Sequence, residues 1–558
     1  MGEPDASIVE ETRADVRTWS HLHSKDDSML SLSDLRDAAK WEGGVSRRLF
    51  LAYGTALSSL PLLGLQASAA TRRMSFSSDP FTLGVASGDP APSGFVLWTR
   101  LAPQPLEPDG GMTPEALEVA WEVATDEGMS QVVKRGTAVA TPQLGHSVHV
   151  VVEGLKPDRW YWYRFHAGDA VSPVGRTRTV PTPNTMPEQL RFAFASCSHW
   201  EQGLFTAYQH MAQDDLDLAL HLGDYIYEGS GRDNLARKHA GPKLATLADY
   251  RIRHAQYKTD PHLQAAHARC PWVVTWDDHE FENNYANEIS ERAGQDPIEF
   301  LEQRARAYQA YYEAMPLRPR SLPQGPNMKL YRSIPYGRLS TFQVLDTRQY
   351  RTDQPNGDRG GEMNDEALNP KNTMLGARQA NWLKGALLRS TGTWNVLAQQ
   401  VMMGMVRRKL RNEAVERYSM DQWPGYAAER MKLAAFFQER QVPNPVVLTG
   451  DIHSNWVNNL RVDDRKPETP VVATEFVGTS ITSGGNAPAE VPGLDALLAD
   501  NPCVQFHNRQ RGYVRCTLTP QSWTSDYRIV EDVRSPGGSV KTLKSFVVEA
   551  GKPGAQPA

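Results

Sequence analysis

Five times in this chain a short run of apolar and β-branched residues stops and gives way at once to side chains that bind protons or cations. LRFAFAS is followed by Cys197. LDLALHLG is followed by Asp224 and, three positions on, Tyr227. WVVTW runs into Asp277, Asp278, His279 and Glu280. TFQVL leads to Asp346 and Arg348, and VVLTG leads to Asp451 and His453. Runs this short, with little polar alternation, read as strands buried on both faces. Helical stretches separate them, so the chain predicts an α/β layered fold around a largely buried sheet. Ligands in such sheets bind beyond the carboxyl ends of the strands. That is where the reactive side chains of this chain cluster.

The helical stretches are GLFTAYQHMAQDD, residues 244–269, residues 297–315, Ala377 to Leu388 and Ala427 to Gln441. Upstream, residues 80–182 carry short alternating strands such as GFVLWTRL, LEVAWEVAT, HSVHVVVEGL and RWYWYRFHAG. These read as a fibronectin-like β-sandwich. VPTPNTMPEQ, Val180 to Gln189, is a plausible linker by its Pro, Thr and Asn content. A catalytic domain is expected over 190–548, and a disordered tail over 549–558.

Residues 1–70 read as a polar leader and a signal peptide. SRRLFLAYGTALSSLPLLGLQASAAT places Arg47 and Arg48 before an uncharged run that ends in Ala67-Ser68-Ala69. This order resembles a twin-arginine (Tat) export signal with a small-residue cleavage step. Cleavage is favoured over a permanent membrane anchor for that reason. The protein is therefore expected to use the Tat machinery and to be periplasmic or secreted. The four cysteines, Cys197, Cys270, Cys503 and Cys516, are too few for a disulfide scaffold, although Cys503 and Cys516 are close enough in sequence to pair. A formal net charge of -5 argues against a nucleic-acid-binding module.

Electrostatics gives the strand ends their meaning. Cys197, Asp224, Tyr227, Asp278 and Asp451 are all groups that become anionic. Ionised together in a partly dry site, they would repel one another by several kcal/mol. Multivalent cations reverse that sign, so the simplest account is a cluster of at least two metal ions. Two such ions can hold a phosphoryl group and activate a water. Each residue taken alone also has a plain structural role open to it. Cys197 suits a core, Asp224 a helix cap, Tyr227 packing, Asp278 to Glu280 a solvated loop, and Asp346 with Arg348 an ion pair. The joint pattern favours metal, because four separate strands end in residues able to bind it.

SCSHW, HLGDYIYE, WDDHE and LTGDIHSN, with FTLGVASGDP and VLWTRL upstream, resemble the PhoD-type alkaline phosphatases of the calcineurin-like and purple acid metallophosphoesterase superfamily. The resemblance implies a four-layer metallophosphoesterase core, two packed β-sheets flanked by helices, preceded by an N-terminal β-sandwich module. Against the superfamily motifs D-x-H, G-N-H-[DE] and G-H-x-H, Cys197 replaces the first Asp, Asp278 the Asn, and Asp451 the first His. The set becomes oxygen-rich, which suits calcium better than zinc, while a thiolate and a phenolate suit ferric iron. The family implies Fe3+ on Cys197, Asp224, Tyr227 and His453. Asp224 would bridge to Ca2+, with Asp278 and Asp451 completing that site. A second Ca2+ is implied without readable ligands. The superfamily's further His ligand has no clear equivalent, and Asp346 is the candidate.

The implied activity is hydrolysis of phosphate esters at alkaline pH by in-line attack of a water activated by the cations. His279 is expected to protonate the leaving oxygen or touch the phosphate, and Arg348 to clamp the phosphate. A phosphodiesterase or phospholipase D on the same site is the nearest alternative, and a non-catalytic exported binding protein the second. A monomer is expected.

Overall fold

The computed structural model describes residues 75–230, 235–409 and 416–558. The leader, the Arg47–Arg48 pair and the Ala67-Ser68-Ala69 step lie outside the described residues. Two large sheets, of ten and seven strands, pack face to face. At the centre of the first run the parallel strands Leu190–Ala195, Leu218–His221 and Trp272–Val274. The second is built on the parallel strands Ser340–Val344, Trp394–Ala398, Pro445–Thr449 and Val471–Val477.

Successive strand residues point to opposite faces, and the apolar runs use both. Phe192, Phe194, Leu218 and Leu220 meet Phe342, Val396, Leu448 and Phe476 between the sheets. Ala193, Ala195 and Ala219 face outward onto the helices Thr206–Gln213, Leu247–Lys258, Pro261–Arg269 and Pro297–Ala314. On the far side, Leu397 and Val447 pack against Gly376–Arg389 and Ala427–Glu439. The order of layers is helix, sheet, sheet, helix. Burying each Phe or Leu contributes roughly 1.5–3 kcal/mol over leaving it exposed, so this sandwich supplies the rigid frame of the site.

Several expectations need correction. Residues 244–269 form two helices, because Pro261 cannot continue a helix through its own position. Asp260 caps the second, accepting from the N–H groups of His262 and Leu263. Residues 549–558 are not disordered. Lys552–Pro557 pairs antiparallel with Val540–Glu549. The Ala555 N–H donates to Asn459 Oδ1 at 2.8 Å and the Gly554 N–H to Thr474 Oγ1 at 3.1 Å. Those acceptors come from the other sheet, and nothing in a polar Gly-rich tail announces them. Cys503 and Cys516 do not pair. All four cysteines are free and buried, with Cys503 beside Trp456 and Cys516 between the two sheets.

The N-terminal region is two-layered, but it is not separate from the core. Its five-stranded sheet, which includes Leu117–Ala124 and Trp160–Ala167, packs on Val85–Ala91, Gly94–Arg100 and Ser147–Val152. Those three strands extend the ten-stranded sheet, Gly88 pairing in parallel with Trp272. Among the described residues no helix is long and apolar enough to cross a membrane.

The helix Leu247–Lys258 starts at a capping box between Thr246 and Asp249 and ends in a buried cation. Lys258 Nζ lies 4.3 Å from the Trp98 ring centroid and 5.3 Å from that of Tyr225. Burial pulls its pKa from 10.5 down to about 7. The folded value lies below the unfolded one, so stability is lost as pH falls through this interval and stays lost below it. We expect Lys258→Met to raise the urea midpoint most at about pH 6, the gain fading toward about pH 10. A gain independent of pH would place the effect in packing and not in charge.

Candidate metal centre

Close approach of the strand ends builds the site. Gly223 follows the strand Leu218–His221 with φ at 110°, and a Cβ there would stand 2.4 Å from the Asp277 Cβ. Gly450 follows Pro445–Thr449, and a Cβ there would stand 2.6 Å from Ser196 Oγ. Neither loop could come so near its neighbour with a larger residue. A parallel bridge between Ser196 and Ser480 ties the two sheets together at this edge. Glu280 clasps two of the loops, its carboxylate accepting from the N–H groups of Asp224 at 3.0 Å, Tyr225 at 2.6 Å and Asp277 at 2.8 Å.

The backbone turns sharply where the donors sit. Cys197, Asp224, Asp451 and His453 have φ of 59°, 55°, 60° and 53°. Left-handed conformations at non-glycine residues cost on the order of 1–3 kcal/mol each and collect at functional sites. Each turn aims its side chain back across the sheet edge.

The donors form three overlapping groups, each with ligand atoms within 4.8 Å of one another: Cys197 with Asp224 and His453; Asp224 with Asp278 and His279; and Asp277 with Asp278 and Asp451. Asp224 and Asp278 are shared. Tyr227 joins the first group, its hydroxyl donating to Asp224 Oδ2 at 2.8 Å and lying 3.2 Å from His453 Nε2. Ser483 Oγ donates to the same phenol at 2.6 Å. Its ring lies between those of His199 and His279, with centroids 4.4 and 4.3 Å away. Arg253 holds the loop from behind through the Tyr227 carbonyl. The structure thus brings Cys197, Asp224, Tyr227, Asp278, His279, Asp451 and His453 to one place.

Two expected residues do other work. Arg348 is fully buried, and carboxylates take its donors. Nε meets Asp277, Nη1 meets Asp421 at 2.9 Å, and Nη2 meets Asp451 at 3.1 Å and Asp278 at 3.6 Å. A guanidinium so committed has no fork left to clamp a phosphate. It positions the carboxylates instead. Asp346 is not a ligand either. It accepts from the N–H groups of Arg348 and Gln349 at 3.1 and 2.9 Å and from Gln349 Nε2 at 2.9 Å, which closes its own turn.

Burial sets the proton affinities. It pushes the Cys197 thiol, the Tyr227 phenol and the Asp224 carboxyl well above their ordinary ranges, and neighbouring anions add to the effect. Burial likewise raises Asp451, to about 6, although Arg348 opposes it. Burial lowers His453 to about 3, with Arg511 contributing. Burial also acts against charge on His279, but Glu228, Asp278 and Asp224 outweigh it and hold the imidazole well above its usual value. Thiol, phenol, carboxyl and neutral imidazole are the donors a multivalent cation deprotonates or ligates. The residues present fit metal ions.

Comparison with known proteins bears on the same residues. Residues 192–527 match the family model for PhoD-like phosphatase, and residues 66–181 match that for the PhoD-like phosphatase N-terminal domain. The chain belongs to the PhoD-like phosphatase family. It is 52% identical over 484 residues to alkaline phosphatase D of Bacillus subtilis (strain 168), covering 86% of this chain and 82% of that one. A solved structure described as "Structure of PhoD" is 51% identical with a TM-score of 0.85, covering 87% of this chain and 93% of that one. This PhoD-like phosphatase is a phosphoric ester hydrolase with the layered α/β fold of that structure.

Sequence reasoning missed residues that the structure adds to the candidate site. Glu228 binds His279 Nδ1 at 2.7 Å, and its place beside Tyr227 in HLGDYIYE was the available signal. Asp421 joins Arg348 to Arg351, at 2.7 Å from the latter. It lies in an irregular loop after the two-residue strand Glu416–Arg417, which has no apolar run to announce it. Ser483 follows the strand Val471–Val477 by a few residues within an unremarkable TSITSGG.

Removing the guanidinium tests its role. We expect Arg348→Met to destabilise the chelator-treated protein by about 3–5 kcal/mol near neutral pH, as loss of one partner leaves buried charge uncompensated. The deficit should shrink as pH falls and the stranded carboxylates take up protons. Urea denaturation at several pH values measures both; a variant as stable as the parent would remove Arg348 from this role.

Proposed function

We propose that this phosphatase is metal-dependent and exported, and that it hydrolyses phosphate esters at alkaline pH. Cys197, Asp224, Tyr227 and His453 would hold ferric iron, and Asp224, Asp278 and Asp451 would hold calcium. One observation carries this reading: the three donor groups overlap through Asp224 and Asp278, so neighbouring cations can share carboxylates. The sulfur and imidazole donors share a group with Asp224, with the Tyr227 phenol beside it, while another group is carboxylates alone, which suits a ferric ion beside a harder divalent ion. When bound, such cations supply Lewis acidity, easing ionisation of water and neutralising charge that grows on the phosphoryl oxygens.

The chain's own residues do the rest. Glu228 takes one ring nitrogen of His279 and fixes the imidazole against the Tyr227 ring. The side chain remains 21% exposed, and Nε2 is the ring nitrogen that Glu228 does not engage. Our reading is that Nε2 delivers a proton to the leaving alcohol. Arg348 and Arg351 keep Asp278, Asp421 and Asp451 in place from the buried side. Export rests on the Arg47–Arg48 run and the small residues at 67–69. Lysine in place of both arginines is then expected to leave the precursor inside the cell, which fractionation reads directly.

Two measurements test the chemistry. Chelator treatment of protein exported through its own signal should abolish hydrolysis, and elemental analysis of the untreated protein should find iron and calcium. Persistence of full activity without metal would end the reading. His279→Ala should lower kcat by about 10²-fold on alkyl phosphates, a typical size for loss of a general acid. The loss should be much smaller on p-nitrophenyl phosphate, whose leaving group needs no proton. Equal losses on both would assign His279 to positioning. Matched monoester and diester substrates decide between a phosphatase and a phosphodiesterase preference.

A further inference from the structure

Beside the candidate metal centre lies a second space whose chemistry the donor groups do not use. It is a cleft of about 860 Å³ between the helix Leu494–Asp500 and the outer strands Asn455–Arg461 and Val504–Asn508 of the seven-stranded sheet. Ile452 and Ser454 form part of its wall. They flank His453 in the chain, and Ile452 also follows Asp451 directly. Neighbouring Cα atoms are about 3.8 Å apart, so this wall separates the cleft from the metal donors by the thickness of one loop.

The cleft is basic in a chain whose formal net charge is -5. Arg407, Arg408 and Arg509 all line it. Arg407 is committed elsewhere: its Nε donates to the Asp500 carbonyl at 2.6 Å and Nη1 meets Glu416 at 2.8 Å. Arg408 and Arg509 are exposed, and neither has a carboxylate partner among the described residues. Although its side chain reaches solvent, partial desolvation against the cleft wall lowers the Arg408 pKa, and Arg509 nearby adds to the effect. The floor is flat and stiff, since His507 stacks on Trp456 at 3.7 Å. The Arg408 guanidinium lies 6.0 Å from that tryptophan ring. Asp500 is the acidic residue of the lining. Two like charges on a rigid wall, with no carboxylate against either among the described residues, repel each other unless an anion joins them.

We propose that Arg408 and Arg509 form a second anion subsite, which receives a phosphate or comparable anionic group carried on the leaving part of the substrate. The substrate class is then a phosphate ester bearing a second negative charge some atoms from the reacting phosphorus. A guanidinium pair suits such a group, because each offers a planar fork of donors to oxyanions. This inference rests on the hydrolase reading for which end of the substrate reacts, but not for the existence of the subsite.

The test compares hexane-1,6-diol monophosphate with hexane-1,6-diol bisphosphate on the metal-loaded enzyme. The bisphosphate is symmetrical, so either end may react without ambiguity. In an Arg408→Gln/Arg509→Gln double variant we expect KM for the bisphosphate to rise about ten-fold with kcat kept, and KM for the monophosphate to stay within about two-fold. Lysine at both positions should restore most of the loss, and added salt should erode the parent's preference. Equal effects on the two substrates, or none on either, would overturn the subsite. If the parent enzyme hydrolyses neither ester, equilibrium dialysis of the bisphosphate replaces kinetics. Weaker binding by the glutamine variant alone would then keep the subsite and discard the proposed hydrolysis of alkyl monoesters. Equal binding by the two proteins would discard the subsite.

Discussion

A carboxylate in a dry interior stays ionised only if a positive group lies against it. Asp277, Asp278, Asp421 and Asp451 are all buried or nearly so, and all meet one guanidinium, that of Arg348. Arg351 supports the outermost of them. The rest of the structure is arranged so that this gathering can exist. Two sheets pressed face to face bring the carboxyl ends of parallel strands from both to one edge. Arginine keeps its charge under nearly any condition. It therefore serves as an internal cation on one side of the acids, and leaves their other side free for ions.

Precision at that edge is bought with strain. Four donors sit in left-handed backbone, and two glycines permit approaches that no side chain would tolerate. Such geometry persists only where the surroundings over-determine it. Here the surroundings are the apolar layers on both faces of the sheets, the Glu280 clasp and the bridge between Ser196 and Ser480. The same loops hold Tyr227 between two imidazoles. Its hydroxyl needs no search for its place.

Charge is divided on a larger scale as well. The interior of the site is crowded with acids, while the neighbouring cleft presents Arg408 and Arg509, which meet no carboxylate among the described residues. A substrate that is negative at both ends meets favourable potential at each, provided that cations cover the acids. The acidic centre and the basic cleft lie on either side of the loop that carries Ile452, His453 and Ser454, so one substrate can meet both.

Much of this was legible in the amino-acid order. Buried strands declare themselves through apolar runs, helices through period, and the ligand-capable residues through their place at the carboxyl ends of strands, where such sheets bind ligands. Cys197, Asp224, Tyr227, Asp278, Asp451 and His453 could be named on those grounds, and the short motifs carried the family. Other features needed the folded chain. Arg348 looks like a phosphate-binding arginine until four carboxylates from three other loops close on it. Asp421 has no local signature. The last residues look unstructured until Asn459 and Thr474 offer them acceptors. Local sequence determines what a segment does with its own backbone and which faces it must bury. Which distant side chain satisfies a buried charge or an edge strand is decided only when the layers assemble, because that partner is chosen by proximity in space and leaves no trace along the chain.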